Sequence, residues 1–452
     1  MTAQLDAAAP GPAVPTGGEH RPEIVTLDNL RKVSRNRVLG LGIAAAIFGL
    51  ATMWIFGFNT PSHLKTTIDF NWESAVSIPK LTVPVALTAI IFGLVQLALA
   101  GFLIWRRPAK GSYGVFFVGL TLFLVSFLIW IARGSATGAV PALAFTEILW
   151  AIFISSTPLI YGSLSGVLCE RAGVVNIAVE GQFLVGAITA AMLSSLVGDN
   201  TLGFVSGTVG AAVIGAVFGA LLAFMALHYK ADQVIIGVLI VAFCTGLTTF
   251  LTASVLSPYQ NLNQGFGMQP IAIPLLSKIP IIGPVVFDQK ALVYLAIVLV
   301  ALANVGLFRT RWGLRVRSVG EKPRAAETVG LSVTRIRHGN VILGGAVAGI
   351  GGAFFTIGQG IQFNVGMTNG LGFIALAIMI FGRWRPWGAF AATMLFGFTI
   401  SLNSQLNLYG SQVGVPSELI AALPYIVTIA VVAGLIGRVR APAADGVPYS
   451  RE

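Results

Sequence analysis

Residues 169–184 read Cys-Glu-Arg-Ala-Gly-Val-Val-Asn-Ile-Ala-Val-Glu-Gly-Gln-Phe-Leu, and the reading of this stretch decides the fold. It sets two acids (Glu170 and Glu180), Arg171, Asn176 and Gln182 inside a region otherwise apolar enough to cross a bilayer. Polar groups at membrane depth are costly, so they face a bundle interior or a substrate path and take partners there. Gly173 and Gly181 accompany them, and glycine lets a helix break or pack closely. Asn176 and Glu180 are four apart, so on a helix they share a face. Gln182 points elsewhere unless the helix is broken. A broken helix at membrane depth offers free backbone groups and side chains to a polar solute, provided it lines a cavity. Glu180, a carboxylate among apolar neighbours, needs a partner such as Arg171 or a protonated state.

Composition extends this reading to the whole chain. Its 452 residues are 56% hydrophobic and 10% charged, with a mean hydropathy of +0.85; soluble domains carry about 25% charged residues. The fold class is therefore all-α, a polytopic transmembrane helical bundle. Apolar runs of spanning length fall near 38–58, 82–104, 114–132, 147–169, 174–197, 203–227, 233–255, 290–308, 339–358, 370–382, 386–403 and 418–437. These are about twelve membrane segments, of which 370–382 is short enough to be re-entrant. Glycine is abundant (53 residues), and Gly203/Gly207, Gly215/Gly219 and Gly345/Gly349 are G-x-x-x-G pairs within apolar runs, read as helix-packing faces. Cys169 and Cys244 lie in apolar segments and read as buried thiols. The four histidines show no metal-ligand spacing.

The net charge of +11 is a topology signal, not a sign of nucleic-acid binding, because Lys and Arg concentrate in alternate short loops. Arg106, Arg107 and Lys110 lie in one such loop, His228 and Lys230 in the next. The run from Arg309 to Arg337, then Arg383 and Arg385, then Arg438 and Arg440 continue the alternation. It places both termini in the cytoplasm and the long Pro-, Asn- and Gln-rich loop near 256–289 outside, where it suits an external partner or a plain connection. Residues 1–37 are Ala-, Pro- and Gly-rich and read as a disordered cytoplasmic tail. Residues 441–452 read as a cytoplasmic tail.

A second informative stretch lies in the basic loop at 309–338, where eight basic residues oppose two acids. Pro323 suits the first turn of a helix and Gly330 its C-terminal cap. Ala325, Ala326 and Val329 form a narrow apolar stripe between them, of the kind that seats in a groove on another protein. On pattern alone, a plain basic loop is the favoured reading.

The pattern Glu170, Arg171, Gly173, Val174, Val175, Asn176, Ile177, Glu180, Gly181 resembles a signature of the permease subunits of ABC importers for nucleosides and simple sugars, within the branched-chain amino acid/ribose-type permease superfamily. Gly320, Glu321, Pro323, Ala325, Ala326 and Gly330 resemble the same family's coupling loop. The resemblance implies that the segment around 320–330 docks on an ABC ATPase subunit. It also implies a second homologous permease subunit, an extracytoplasmic substrate-binding lipoprotein, and a cell-membrane location. The division of 38–146, as additional N-terminal transmembrane segments, from a core at 147–440 is a further implication of the resemblance. Its wording lies nearer the nucleoside branch than the simple-sugar (ribose-like) or branched-chain amino acid branches.

Candidate residues for the substrate path are Asn176, Glu180 and Gln182, with Gln359 and Asn364 near the outer face; Gln362, Asn403, Gln405 and Asn407 are further polar candidates. The chain contains no Gly-Lys dipeptide, so no phosphate-binding loop of the G-x-x-x-x-G-K-[ST] type exists and ATP must bind a partner. Catalytic residues, cofactors and metals are not expected. A proton- or sodium-driven transporter is the alternative of another class, but intramembrane acids are few, mainly Glu147 and Glu180, where proton relays need several. Trp384 and Trp387 flank Pro386 and read as an aromatic belt.

Overall fold

A bilayer core about 30 Å thick takes roughly 20 apolar residues of helix. Among the described residues, nine helices meet that requirement. The computed structural model describes residues 27–71, 79–108, 111–138, 140–413 and 440–449. The chain divides into two compact units, 1–64 with 84–130, and 65–83 with 131–452.

The first unit holds α1 (Leu27–Ala51, continued by a π-helical stretch to Phe58), α2 (Val85–Arg106) and α3 (Ser112–Ile131). Helices α1 and α2 pack along one another around Val38, Leu41, Ala45, Ala100 and Leu103. Their one buried polar pair, among the described residues, is Thr52 Oγ1 donating to Gln96 Oε1 at 2.9 Å, a bond that no solvent competes for. The disordered reading of residues 1–37 needs correction: the backbone is helical from Leu27 onward, and residues 1–26 lie outside the described part.

The second unit carries the polar stretch. A small sheet of β1 (Lys65–Asp69), β2 (Leu81–Pro84) and β3 (Leu143–Ala144), in the order β2-β1-β3, precedes it. The spanning helices are α4 (Phe145–Glu170), α5 (Val179–Val197), α6 (Thr201–Leu227) and α7 (Gln233–Leu251). The long loop that follows is ordered by β4 (Pro270–Ala272), paired antiparallel with β5 (Asp288–Lys290), and by the short α8 (Ile282–Phe287). Next come α9 (Ala291–Arg309), α10 (Arg311–Glu321), α11 (Pro323–Thr328) and α12 (Val333–Ala353), then α13 (Leu371–Phe381) and α14 (Pro386–Val413).

Helices α4, α5 and α12 form the centre of the second unit. They bury 72–78% of their most apolar windows, against 28–39% for the other six. The remaining apolar faces, such as Leu202, Val205, Val209, Val213 and Val217 on α6, stay exposed, as a lipid-facing stripe requires.

Among the described residues nine of the twelve expected segments are helices long and apolar enough to span. The run near 370–382 is α13, 11 residues long, about 16 Å of helix and too short to cross. The run near 386–403 lies in α14, which is not among the nine apolar helices. The run near 418–437 lies outside the described residues.

Glycine sets the closest helix contacts. Gly215 and Gly219 of α6 face Gly345 and Gly349 of α12, and a methyl group on any of the four would meet backbone atoms of the other helix at under 3.0 Å. Gly186 of α5 meets Gly349 in the same way. Backbone cannot step aside as a side-chain tip can, so Gly349→Ala is expected to cost about 1–3 kcal/mol through overpacking and to lower the thermal unfolding midpoint in detergent. Gly246→Ala, which meets nothing within 4 Å, should leave the midpoint unchanged or raise it.

Candidate functional site

The polar stretch is a break between two membrane helices. Helix α4 ends at Glu170 and α5 begins at Val179; residues 171–178 are turns and irregular chain. Gly173 has φ +86°, and a Cβ there would lie 2.7 Å from Nη2 of Arg337. Only glycine satisfies both constraints at that position. The backbone N–H of Val175, freed by the break, donates to Gln233 Oε1 of α7 at 2.8 Å.

Asn176 therefore lies outside either helix, and the helical face predicted for Asn176 and Glu180 does not form. The break brings Asn176 and Gln182 together instead. Asn176 Nδ2 donates to Gln182 Oε1 at 3.1 Å and to Ser165 Oγ of α4 at 3.2 Å. Both residues are fully buried, yet Asn176 Oδ1 and Gln182 Nε2 have no protein partner. An acceptor and a donor thus stand open in an enclosed polar cluster, where each carries a desolvation cost unless water or a polar solute meets it.

Glu180 does not pair with Arg171. Its carboxylate caps α13 instead. Oε1 accepts from Thr368 Oγ1 at 2.6 Å and from the Gly370 N–H at 2.9 Å, and Oε2 accepts from the Gly372 N–H at 2.7 Å. Gly370, at φ +77°, is the N-cap of α13. A helix N-terminus presents unsatisfied N–H groups and partial positive charge, so the buried carboxylate and the half-buried helix end satisfy each other.

Arg171 braces the end of α4. Its Nε donates to the Trp384 carbonyl at 2.8 Å and its Nη2 to the Arg383 carbonyl at 3.2 Å. Arg383 and Trp384 both adopt left-handed backbone, at φ 56° and 52°, an arrangement that non-glycine residues keep only under constraint. Trp384 is no belt residue. It is 5% exposed, and its Nε1 donates to Glu170 Oε2 at 2.5 Å; Trp387 stays exposed.

The expected short helix in the basic loop is present as α11, with Pro323 at its first turn and Gly330 at φ +85° beyond its end. Its apolar stripe splits. Ala326 is buried against Val319 and Val333 of its own chain, so it faces inward, while Ala325 and Val329 face outward. The two line a groove of about 450 Å³ with Leu314, Lys322 and Leu331. Gly320 is buried, and a Cβ on it would strike the Arg171 carbonyl. Glu321 is exposed at the rim.

Gln359 and Asn364 are exposed in the loop before α13 and stand apart from the buried cluster; Asn364 Nδ2 donates to the neighbouring Gln362 carbonyl at 3.2 Å. The side chains of Gln405 and Asn407 lie outside the described part. Sequence reading missed Arg337, Thr368 and the chain's last turn. Arg337 is fully buried and donates to the carbonyls of Val447 (3.0 Å) and Ala444 (3.3 Å). The Asp445 carboxyl is pushed up to about 6 by burial, against the pull of the Arg337 charge.

The capping geometry yields a direct test. Glu180→Gln keeps size but turns an NH₂ toward N–H donors, so it is expected to cost about 2–4 kcal/mol, and Thr368→Val, which removes one of three donors, about 1 kcal/mol. Thermal unfolding in detergent should order the midpoints as wild type, Thr368→Val, Glu180→Gln. Coinciding midpoints would mean that the cap carries no energy.

Comparison with known proteins agrees with the geometry. Residues 148–432 match the family described as branched-chain amino acid transport system / permease component. The chain is 39% identical to the nucleoside ABC transporter permease protein NupC of Lactococcus lactis, over 66% of this chain and 95% of that protein. It is 36% identical to the guanosine ABC transporter permease protein NupQ of Bacillus subtilis, with the same coverage of both chains. It is 34% identical to the putative glucose ABC transporter permease protein TsgC13 of Haloferax volcanii, again over 66% and 95%. No solved structure matches. The chain belongs to this permease family: it is a multi-pass membrane component of an ABC transport system, which works with an ATPase and other subunits, and it is not itself an enzyme.

Proposed function

We propose that this chain forms the membrane pathway of an ATP-driven importer for nucleosides. The observation that carries the substrate class is the identity of 39% and 36% to permeases named for nucleosides and for guanosine, each covered over 95% of its length. The enclosed cluster of Ser165, Asn176 and Gln182 supports it chemically. Ribose hydroxyls and base edges need donors and acceptors, and Asn176 Oδ1 and Gln182 Nε2 stand open there. In this reading Asn176 and Gln182 belong to the pathway, Glu180 sets its wall through α13, and Gln359 and Asn364 lie toward the outer mouth. Glucose is the second reading, favoured by the 34% identity to a putative glucose permease.

The segment Gly320, Glu321, Pro323, Ala325, Ala326 and Gly330 is the proposed ATPase coupling site. The outward-facing Ala325 and Val329 and the groove beside them support it. The further partners are a second homologous permease subunit and an extracytoplasmic substrate-binding lipoprotein. Loop charges favour cytoplasmic N- and C-termini. Residues 38–146 are an addition to the permease core at 147–440.

Proteoliposomes carrying this chain with its ATPase and partner permease, supplied with the binding lipoprotein, are expected to accumulate labelled guanosine only when ATP reaches the ATPase. A protonophore should leave uptake intact, and excess glucose should not compete. Uptake that collapses with the proton gradient would contradict the ATP-driven reading. Glucose transport without guanosine transport would shift the substrate to the second one.

A further inference from the structure

The last described turn of the chain bonds to the coupling segment directly and, through Arg337 of α12, packs toward the helix break. Toward the coupling segment, the Ala444 N–H donates to the Gly320 carbonyl at 2.9 Å and the Ala443 N–H to Glu321 Oε2 at 3.2 Å. The Tyr449 hydroxyl donates to Glu327 Oε2, and its ring packs on the cluster of Val319, Ala326 and Val333. Toward the break, the carbonyls of Ala444 and Val447 accept from Arg337. The guanidinium of Arg337 in turn occupies the space that a side chain at 173 would need. Asp445 meets Glu170, the last residue of α4. The turn holds its own shape: the Asp445 N–H donates to the Pro442 carbonyl at 3.1 Å, and the Val447 N–H to the Ala444 carbonyl at 3.3 Å.

A terminal segment that served only as a tail would be solvated. This one buries Ala444 to 6% exposure, and its contacts run along one line: hydrogen bonds link α10 and α11 to 443–449 and 443–449 to Arg337, and the Arg337 guanidinium packs against Gly173. We propose that residues 443–449 are a strut of the coupling apparatus, which carries displacement of α11 to the break at Gly173 and makes Arg337 its positioning residue. This rests on the reading of α10 and α11 as the coupling segment. A contiguous chain of packed and hydrogen-bonded groups is the physical condition for such transmission.

The test compares three variants in the reconstituted complex, measuring assembly, ATP hydrolysis and labelled guanosine moved per ATP. Val329→Glu examines the coupling reading itself: it should insert normally and lose ATPase stimulation, and normal stimulation would overturn that reading separately. A chain ending at Ala441 removes the strut, and Tyr449→Phe deletes one hydroxyl and leaves folding undisturbed. With Val329 intact, both should still bind the ATPase and hydrolyse ATP, while guanosine moved per ATP falls at least about threefold. A truncated or Tyr449→Phe complex that assembles and keeps the wild-type ratio would overturn the strut. If the truncated chain fails to assemble, the ratio for Tyr449→Phe decides alone, a fall supporting the strut and the wild-type value refuting it.

Discussion

A membrane gives unpaired backbone groups no solvent, so a helix can be interrupted inside it only where the protein supplies every missing partner. The interruption at residues 171–178 is the constraint on which the rest of this structure depends. Gly173 makes the turn with a left-handed φ and leaves room for Arg337. Gln233 of α7 takes the freed Val175 N–H. Ser165 and Gln182 take the Asn176 amide. Each partner comes from a helix that must be in place, so the break fixes the relation of α4, α5, α7 and α12, and the glycine contacts among α5, α6 and α12 allow them to approach.

The break also explains the chain's second irregularity. Helix α13, with 11 residues, ends inside the protein, and its N-terminal N–H groups need an acceptor there. Glu180, in the first turn of α5, supplies one with both carboxylate oxygens. One buried carboxylate thus satisfies the start of α13, which costs far less than burying the charge or the helix end alone. Such half-helix termini meeting at membrane depth characterise transporters that hold a polar solute between them. At the other end, Arg171 satisfies two carbonyls of a strained turn, and Trp384 satisfies Glu170.

Much of this was legible in the residues. The first nine apolar runs each correspond to a helix long enough to span, because hydropathy reports burial in lipid directly. The glycine pairs at 215/219 and 345/349 were readable as packing faces, and Pro323 and Gly330 bracketed α11 because their backbone preferences are local. What failed was non-local. Asn176 and Glu180 at a spacing of four suggested one face, but the break places Asn176 beside Gln182. Arg171 was the nearest cation to Glu180 in sequence, yet Glu180 is bonded to Thr368, Gly370 and Gly372, 188–192 positions away. A hydroxyl and two backbone N–H groups leave no signature in a hydropathy or charge pattern. Ala326 belonged to an apolar stripe, but which edge of a six-residue helix turns inward depends on Val319 and Val333. Trp384 beside Pro386 looked interfacial; its indole N–H had a buried acceptor 214 positions away. The terminal segment read as a tail because its bonds are mostly made by its own backbone, which composition does not register.

The central claim is that the polar break is the route of the solute rather than only a joint in the fold. The most direct measurement is labelled-guanosine uptake by the reconstituted complex carrying Asn176→Leu, compared with wild type at equal amounts of assembled complex. Loss of one hydrogen bond to a polar solute is worth about 0.5–1.5 kcal/mol, more where a partner stays buried and unmet. The account predicts uptake reduced several-fold with assembly and ATP hydrolysis preserved; unchanged uptake would show that the break is structural and that the solute passes elsewhere.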